Sequence, residues 1–293
     1  MVKENRLSIS IKGINAGVIR QENNFIALAL KIKEPRNKES LFFLPAIALK
    51  DLFIALEYRL AQLPLLSMDE RSRYEKARDK AAQKMHQNIP ALQREALEHA
   101  DVNLRVNAIS LTNDDNESQT FTLTLHSGKK VELVVDLLQI ELLVTVMVHA
   151  INNAGMNELS LRISSMLDFL PLYDVDYKAG GNLEYDSYDH PAWKRNLFVH
   201  HLAVIYRYTD TEGKTQFSGT VIKTRSKPGT KDVEAVTRRL LDCSPRLQKL
   251  AGLPCQVFVR ALSSDKRKTF TADAYMQALY QLQQSVEKNA EQA

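Results

Sequence analysis

The order strand, strand, amphipathic helix occurs twice in the first half of the chain. In the first copy, alternating side chains over residues 25–30 and the short apolar run 41–44 predict two strands. A helix over residues 46–62 follows, with apolar positions at three-or-four spacing on one face. Residues 121–125, 131–135 and 136–152 repeat this order about 90 residues later. The repeat predicts two strand-strand-helix units packed side by side.

The remaining segments complete the expected domain organisation. Residues 1–152 should hold the two units, with a charged helical insertion at about residues 67–100. Residues 153–195 should form a helical and loop connection rich in Tyr and acidic residues, with helix before Pro171. Residues 196–293 should form a C-terminal unit of hairpin, helix, strand and helix, the first helix covering residues 232–250. The expected fold class is α+β, with mainly antiparallel sheets and packed helices.

Composition and charge exclude several classes of protein. The chain is 44% hydrophobic, enough for substantial cores, so disorder is not expected as the main state. A total of 39 Lys and Arg against 35 Asp and Glu gives a net charge of +4, which does not identify a nucleic-acid partner. Residues 1–13 lack the apolar core of a signal peptide, and polar residues interrupt the most apolar segment, 133–151. We therefore expect a cytoplasmic protein that does not enter a membrane.

The two cysteines agree with this location. Cys243 and Cys255 are too far apart for the C-x-x-C redox spacing. Thiols of this kind in a cytosolic chain are most often small buried hydrophobic residues. We expect both to be reduced.

Aromatic residues in the connection form the first candidate site. They are Tyr173, Tyr177, Tyr185, Tyr188 and Trp193. Amphipathic aromatic side chains suit transient protein interfaces, and the alternative is that these rings pack onto their own domain. The leading hypothesis is a soluble, non-enzymatic adaptor with a protein partner; the sequence identifies neither that partner nor the oligomeric state.

Four carboxylates in the same segment form a second cluster, comprising Asp174, Asp176, Glu184 and Asp186. The members of each pair are two residues apart and therefore share one face of a strand. A three-residue turn centred on Gly180 would place Asp176 opposite Glu184, whereas a two-residue turn on Gly180 and Gly181 would place Asp176 opposite Tyr185. The adjacent glycines favour the two-residue turn. A divalent-metal-dependent enzyme is one alternative function, but we assign no metal ligands and no cofactor.

A basic run provides the third candidate site, Lys223, Arg225, Lys227 and Lys231. Lys223, Arg225 and Lys227 would share a face if the strand continued, and the loop leads into a helix N-terminus, which can bind anions. The run lacks the GxxxxGK spacing of a phosphate-binding loop. Phosphate or nucleic-acid binding is therefore an alternative function.

The sequence contains no signature of a nucleophilic or zinc site. Ser218 precedes Gly219 without the upstream glycine of a nucleophile elbow. His200 and His201 are adjacent in an expected strand, so they face opposite sides and cannot bind one ion together. We assign no catalytic residue, and the sequence favours a protein that is not an enzyme.

Three long segments resemble a known family. They are KGINAGVIRQENNFIALALKIKEPRNKESLFF (residues 12–43), MLDFLPLYDVD (residues 166–176) and SPRLQKLAGLPCQVFVR (residues 244–260). These segments resemble the YjeJ-like proteins of enteric bacteria over most of the chain. The resemblance implies a cytoplasmic bacterial protein, and it implies no activity, cofactor or site residue.

Overall fold

The computed structural model describes residues 7–178, 182–265 and 267–291. The chain divides into two units, Met1–Ser164 and Ser165–Ala293. Helices and mostly antiparallel strands make up both units, which confirms the α+β class. None of the helices in the described part of the chain combines the length and the apolarity needed to cross a bilayer.

The first unit contains both copies of the repeated pattern. Its elements are β1 (Leu7–Ser10), β2 (Gly13–Gln21), β3 (Asn24–Lys33), β4 (Glu39–Leu44), α1 (Ala46–Leu60), α2 (Met68–His86), α3 (Arg94–Glu98), β5 (Val106–Asp114), β6 (Ser118–Leu125), β7 (Lys130–Asp136), α4 (Ile140–Asn153) and α5 (Asn157–Ser164). The first copy is β3, β4 and α1, and the second is β6, β7 and α4. The order strand, strand, helix predicted for both copies is therefore present.

Two sheets and the helices between them form the core of this unit. One sheet has the order β2-β3-β4, and the other has the order β1-β7-β6-β5, in which β1 runs parallel to β7. Helix α1 packs against β3, β4 and β5, and α4 packs against β2 and β3. Each helix therefore contacts the sheet of the other copy.

The second unit is built on one five-stranded sheet. Its elements are β8 (Phe169–Tyr177), β9 (Leu183–Ser187), α6 (Ala192–Arg195), β10 (His200–Thr209), β11 (Thr215–Thr224), α7 (Lys231–Cys243), β12 (Gln256–Ser263) and α8 (Ala272–Glu291). The sheet is antiparallel throughout, in the order β12-β10-β11-β8-β9. Apolar residues of α7 cover one face and those of α8 cover the other. Each face therefore has its own buried core.

The boundary between the units differs from the expected connection. The segment 153–195 is divided, because α5 belongs to the first unit whereas β8, β9 and α6 belong to the second. The helix expected before Pro171 ends at Ser164, and Pro171 itself lies in β8. Apolar residues of the segment 169–175 are buried in the cores on the two faces of the sheet, so this burial favours a strand over the expected helix.

Helix α7 ends earlier than expected. We expected a helix over residues 232–250, but α7 ends at Cys243, directly before Ser244 and Pro245. Proline has no backbone N–H and its ring collides with the preceding turn of a helix. The chain continues in a short 3₁₀ turn, Gln248–Leu250. This termination directs Arg246 and Lys249 towards β8.

Candidate anion-binding site

A cavity of about 330 Å³ lies at one end of the central sheet in the second unit. Six elements and the segment before α8 contribute to its wall. The aromatic and basic residues of this wall include Tyr173, Tyr188, Arg195, His201, Lys223, Arg267, Lys268, Phe270 and Tyr275. The volume falls within the range of small-molecule sites, about 300–1,000 Å³. Four cationic side chains and one acidic side chain, Asp189, line it, so the net charge of its wall is positive and favours an anion.

His201 and Lys223 form the inner part of the wall. They are directly opposite each other on β10 and β11, so both side chains project from the same sheet face. Only 2% of His201 and 3% of Lys223 is exposed to solvent. The cavity therefore contains a buried imidazole beside a buried amine.

The environment of Lys223 disfavours its charged form. Burial and the nearby Arg195 lower the pKa of its amine to about 8, while Asp265 acts in the opposite direction. Removing an ammonium group from water is costly unless an anion compensates for the lost hydration. A positively charged ligand would increase this cost, whereas an anion would reduce it.

His201 is neutral at physiological pH. Burial lowers the pKa of its imidazole to about 4, and the neighbouring Lys223 contributes to the same shift. The Nδ1 atom is buried and has no hydrogen-bond partner among the described residues. A buried polar atom without a partner carries a desolvation cost, which a hydrogen bond to a bound molecule would offset.

Aromatic rings form the other side of the cavity. The ring of Phe270 lies 5.3 Å from His201 and 5.1 Å from Tyr275, and Tyr173 lies 5.5 Å from Tyr275. The ammonium group of Lys268 lies 5.0 Å from the centre of Phe270. These contacts hold the aromatic rings in place along one side of the cavity. The cationic side chains form a polar side, where a charged group can bind.

The four predicted carboxylates lie on the opposite face of the same sheet. In the pairing of β8 with β9, Asp174 is opposite Asp186 and Asp176 is opposite Glu184. The prediction that Asp176 would face Tyr185 was wrong. A one-residue slip would place Glu184 and Asp186 on the apolar α8 face, so the sidedness of the sheet outweighs the preference of adjacent glycines. Residues 179–181, the site of the predicted turn, lie outside the described part of the chain.

Arg246 and Lys249 neutralise this carboxylate cluster. The Arg246 guanidinium donates to Asp176 at 3.0 Å and to both oxygens of Asp186 at 2.9 and 3.0 Å. It also lies 3.5 Å from Glu184, and Lys249 donates to Asp176. The carboxylate oxygens that a cation would need are therefore directed at positive side chains. Within the described residues, no group of three or more His, Cys, Asp and Glu is arranged to hold a metal ion.

Asp174 is the most buried member of the cluster, with no exposed surface. Its Oδ2 atom accepts hydrogen bonds from the hydroxyl groups of Tyr188 at 2.7 Å and Ser244 at 2.5 Å. Its Oδ1 atom has no hydrogen-bond partner in the described part of the chain. Because Tyr188 also lines the cavity, Asp174 connects the cavity wall to the other face of the sheet.

The five predicted interaction residues do not form one exposed patch. Tyr173 packs against Tyr275, and Tyr177 donates a hydrogen bond to the carbonyl of Leu279 at 3.0 Å. Tyr188 is bound to Asp174, and the indole nitrogen of Trp193 is buried. Tyr185 is 47% exposed and projects from the edge strand β9.

The four predicted basic residues are also separated. Strand β11 ends at Thr224, so the condition for a shared face is not met. Lys223 lines the cavity, whereas Arg225 donates to the carbonyl of Leu167 at 2.8 Å and stacks on Phe198. Lys227 and Lys231 are exposed.

Comparison with known proteins identifies the family. A model of the YjeJ-like family matches residues 7–289. The chain belongs to the YjeJ-like family. It is 58% identical over 288 residues to the Uncharacterized protein YjeJ of Escherichia coli (strain K12), covering 98% of this chain and 100% of that protein. No solved structure matches the chain significantly.

Membership of the YjeJ-like family confirms the resemblance read from the three segments, one of which contains Arg246 and Lys249. Sequence reasoning missed the roles of these two residues, and it also missed the cavity residues Arg195 and His201. The pairing of His201 with Lys223 had a detectable signal, because the Asp210–Gly213 turn limits the register of the hairpin. The approach of Arg195 has no local signal, since it depends on how α6 packs.

Proposed function

We propose that this protein binds a small anionic molecule in the cavity formed by His201 and Lys223. The observation that carries the proposal is the burial of the Lys223 amine in a wall that also contains Arg195, Arg267 and Lys268. Four cations around 330 Å³ suit a phosphate or carboxylate group on a small molecule. The site is too enclosed at Lys223 for the backbone of a duplex nucleic acid.

The proposed ligand would relieve the unfavourable environment of Lys223. An ammonium group that is buried beside Arg195 gains favourable Coulomb energy when an anion is bound between them. This gain is greatest while Lys223 is protonated, and the pKa of its amine is about 8 without ligand. Binding should therefore weaken as the pH rises above about 8.

Calorimetric titration of the full chain with inorganic phosphate and with citrate tests the proposal. Lys223→Met should weaken binding about 10-fold or more, because a charge-assisted hydrogen bond contributes about 1.5–3 kcal/mol. Lys214→Met is the matched control, because Lys214 is an exposed lysine in the β10–β11 turn. Equal affinities in the two variants, or no binding of either anion to the wild type, would refute the assignment.

A single-stranded oligonucleotide in the same titration tests the nucleic-acid alternative. Binding to a backbone would depend steeply on salt and would involve the exposed Lys227 and Lys231. We expect the oligonucleotide not to compete with phosphate. Competition that is lost in a Lys227→Met variant would favour nucleic acid.

The adaptor hypothesis is a second candidate, supported by the exposed ring of Tyr185 on edge strand β9. An edge strand offers unpaired backbone groups to an extended peptide. Tyr185→Ala should reduce partner recovery in a pull-down, whereas Tyr280→Ala, at a similarly exposed tyrosine of α8, should not. Equal recovery with both variants would count against a role for β9.

We place both activities in the cytoplasm. Cys243 and Cys255 do not form a disulfide in the structure, and thiols persist in a reducing compartment. Fractionation of cells that express the full chain checks this location.

A further inference from the structure

Residue 223 is a lysine and not an arginine, and this difference indicates which chemical group the ligand carries in addition to its negative charge. Arg195 and Arg267 already provide guanidinium groups at the cavity, and guanidinium groups bind carboxylates and phosphates with two parallel hydrogen bonds. A lysine adds a capacity that arginine lacks, because its unprotonated amine is a nucleophile. The 3% exposure of Lys223 places this amine where water is largely excluded.

His201 gives the amine a neutral partner. It lies directly across the strand pair from Lys223, and its Nδ1 atom has no hydrogen-bond partner among the described residues. A neutral imidazole adds no charge for holding an anion. It can accept and return a proton during a reaction at the neighbouring amine.

We propose that Lys223 condenses reversibly with the carbonyl group of a small aldehyde or ketone that also carries a carboxylate or phosphate. The proposal rests on the proposed function, because the same cavity must first hold the anionic group. Arg195 and the cations before α8 bind that group, which leaves the carbonyl carbon directed at Lys223.

The reaction balances without an oxidant or a reductant. The lone pair of the unprotonated amine forms a C–N bond to the carbonyl carbon, and the carbonyl oxygen takes a proton as its π bond breaks. Nitrogen then loses a proton, the new hydroxyl group takes up a second proton, and the C–O bond breaks to release water as the nitrogen lone pair forms the C=N bond of a protonated imine. The net change consumes one carbonyl compound and one proton and releases one water. His201 moves the protons between nitrogen and oxygen.

The charged groups around Lys223 support the required unprotonated fraction. Burial and Arg195 lower the pKa of its amine to about 8, and Asp265 limits the shift. The wall also contains Arg267 and Lys268 from the segment before α8 and the acidic Asp189, and His201 is neutral. At mildly alkaline pH, a substantial fraction of Lys223 is therefore unprotonated, whereas exposed lysines are almost fully protonated.

Reductive trapping on the full chain tests the proposal. The protein is incubated at pH 8 with pyruvate, with dihydroxyacetone phosphate or with acetone, each together with cyanoborohydride, and the modified peptides are mapped by mass spectrometry. We expect one dominant adduct at Lys223 with at least one of the two anionic probes and little with neutral acetone. Excess inorganic phosphate should suppress the adduct.

Two variants distinguish the reactivity of the Lys223 amine from the effect of its positive charge. Lys223→Arg keeps the positive charge but removes the primary amine, so its adduct should fall to the background of exposed lysines. Lys214→Arg, at the exposed turn, should behave as the wild type. If Lys223→Arg does not fold, Lys223→Met gives the same comparison for the adduct.

The outcomes distinguish this proposal from the function on which it rests. Phosphate binding that depends on Lys223 without any adduct there overturns the imine and leaves anion binding intact. Adducts spread equally over exposed lysines also overturn it. If phosphate binding is absent and no adduct forms, both proposals fail.

Discussion

At the scale of single residues, the charged side chains on the two faces of the C-terminal sheet have opposite environments. On the α7 face, Asp176 is compensated by Arg246, Lys249 and Ser218. On the α8 face, Lys223 is buried next to Arg195, and its pKa is lowered. Residues that reduce stability in this way persist at functional sites.

Replacement of Lys223 by an apolar residue should stabilise the fold. The pKa of its amine is lowered from 10.5 to about 8, so the folded state is penalised fully below pH 8. The penalty disappears as the pH rises from 8 to 10.5. We expect Lys223→Met to increase the free energy of unfolding by about 1–3 kcal/mol at pH 7, as measured by urea denaturation. A loss of stability at pH 7 would show that Lys223 is a structural residue.

Removal of Arg246 should have the opposite effect. Burial raises the pKa of the Asp176 carboxyl, but hydrogen bonds from Lys249, Ser218 and Arg246 outweigh burial, and the pKa lies below its ordinary value of 3.8. The resulting stability is present above pH 3.8 and is lost as the pH falls below it.

We expect Arg246→Met to cost about 1–3 kcal/mol at pH 7 and to reduce the loss of stability in acid. Lys214→Met, which removes only an exposed ion pair with Glu212, should change stability by about 0.5 kcal/mol or less. Urea denaturation at pH 7 and at pH 3 measures both effects. An acid dependence that is unchanged in Arg246→Met would contradict this account of the cluster.

At the scale of elements, local patterns identified most helices and strands but not their ends or partners. The β10–β11 hairpin followed from alternation and from a turn at residues 210–213. The end of α7 was missed because the apolar spacing continues beyond Pro245. The β8–β9 register was missed because it depends on burial across the whole sheet, which no turn sequence encodes. The register of β8 with β9 therefore depends on long-range packing, which the local sequence pattern did not predict.

Close packing between β2 and the end of α2 provides a prediction at this scale. A Cβ atom at Gly13 would lie 1.9 Å from the backbone carbonyl oxygen of Asn88, whereas one at Gly17 would lie 2.9 Å from the flexible end of Leu92. Backbone cannot move as easily as a side chain. We expect Gly13→Ala to cost about 3 kcal/mol or more, and Gly17→Ala to cost clearly less. Thermal unfolding of the two variants checks the order, and equal effects would contradict it.

At the scale of the whole molecule, the proposed binding site lies within one unit. Every residue of the cavity belongs to Ser165–Ala293, and this unit has a buried core on each face of its sheet. The fold class followed from the sequence, whereas the convergence of six elements and the segment before α8 on one cavity required the structure.

The C-terminal unit should therefore fold and bind by itself. We expect residues 165–293 to unfold cooperatively in urea and to bind phosphate with the affinity of the full chain. The matched fragment 1–164 should not bind phosphate. Binding that requires both fragments would show that the site is not confined to the second unit.

The most direct test of anion binding in this cavity is to add inorganic phosphate at constant ionic strength and to follow the NMR signals of the histidine ring nitrogens. The chain has 7 histidines, so the other six serve as internal references. We expect only His201 to show a large, saturable shift, and we expect the pKa of its imidazole to rise from about 4 because a bound anion stabilises the protonated ring. Signals of His201 that stay unchanged at phosphate concentrations that shift exposed histidines would contradict anion binding in this cavity.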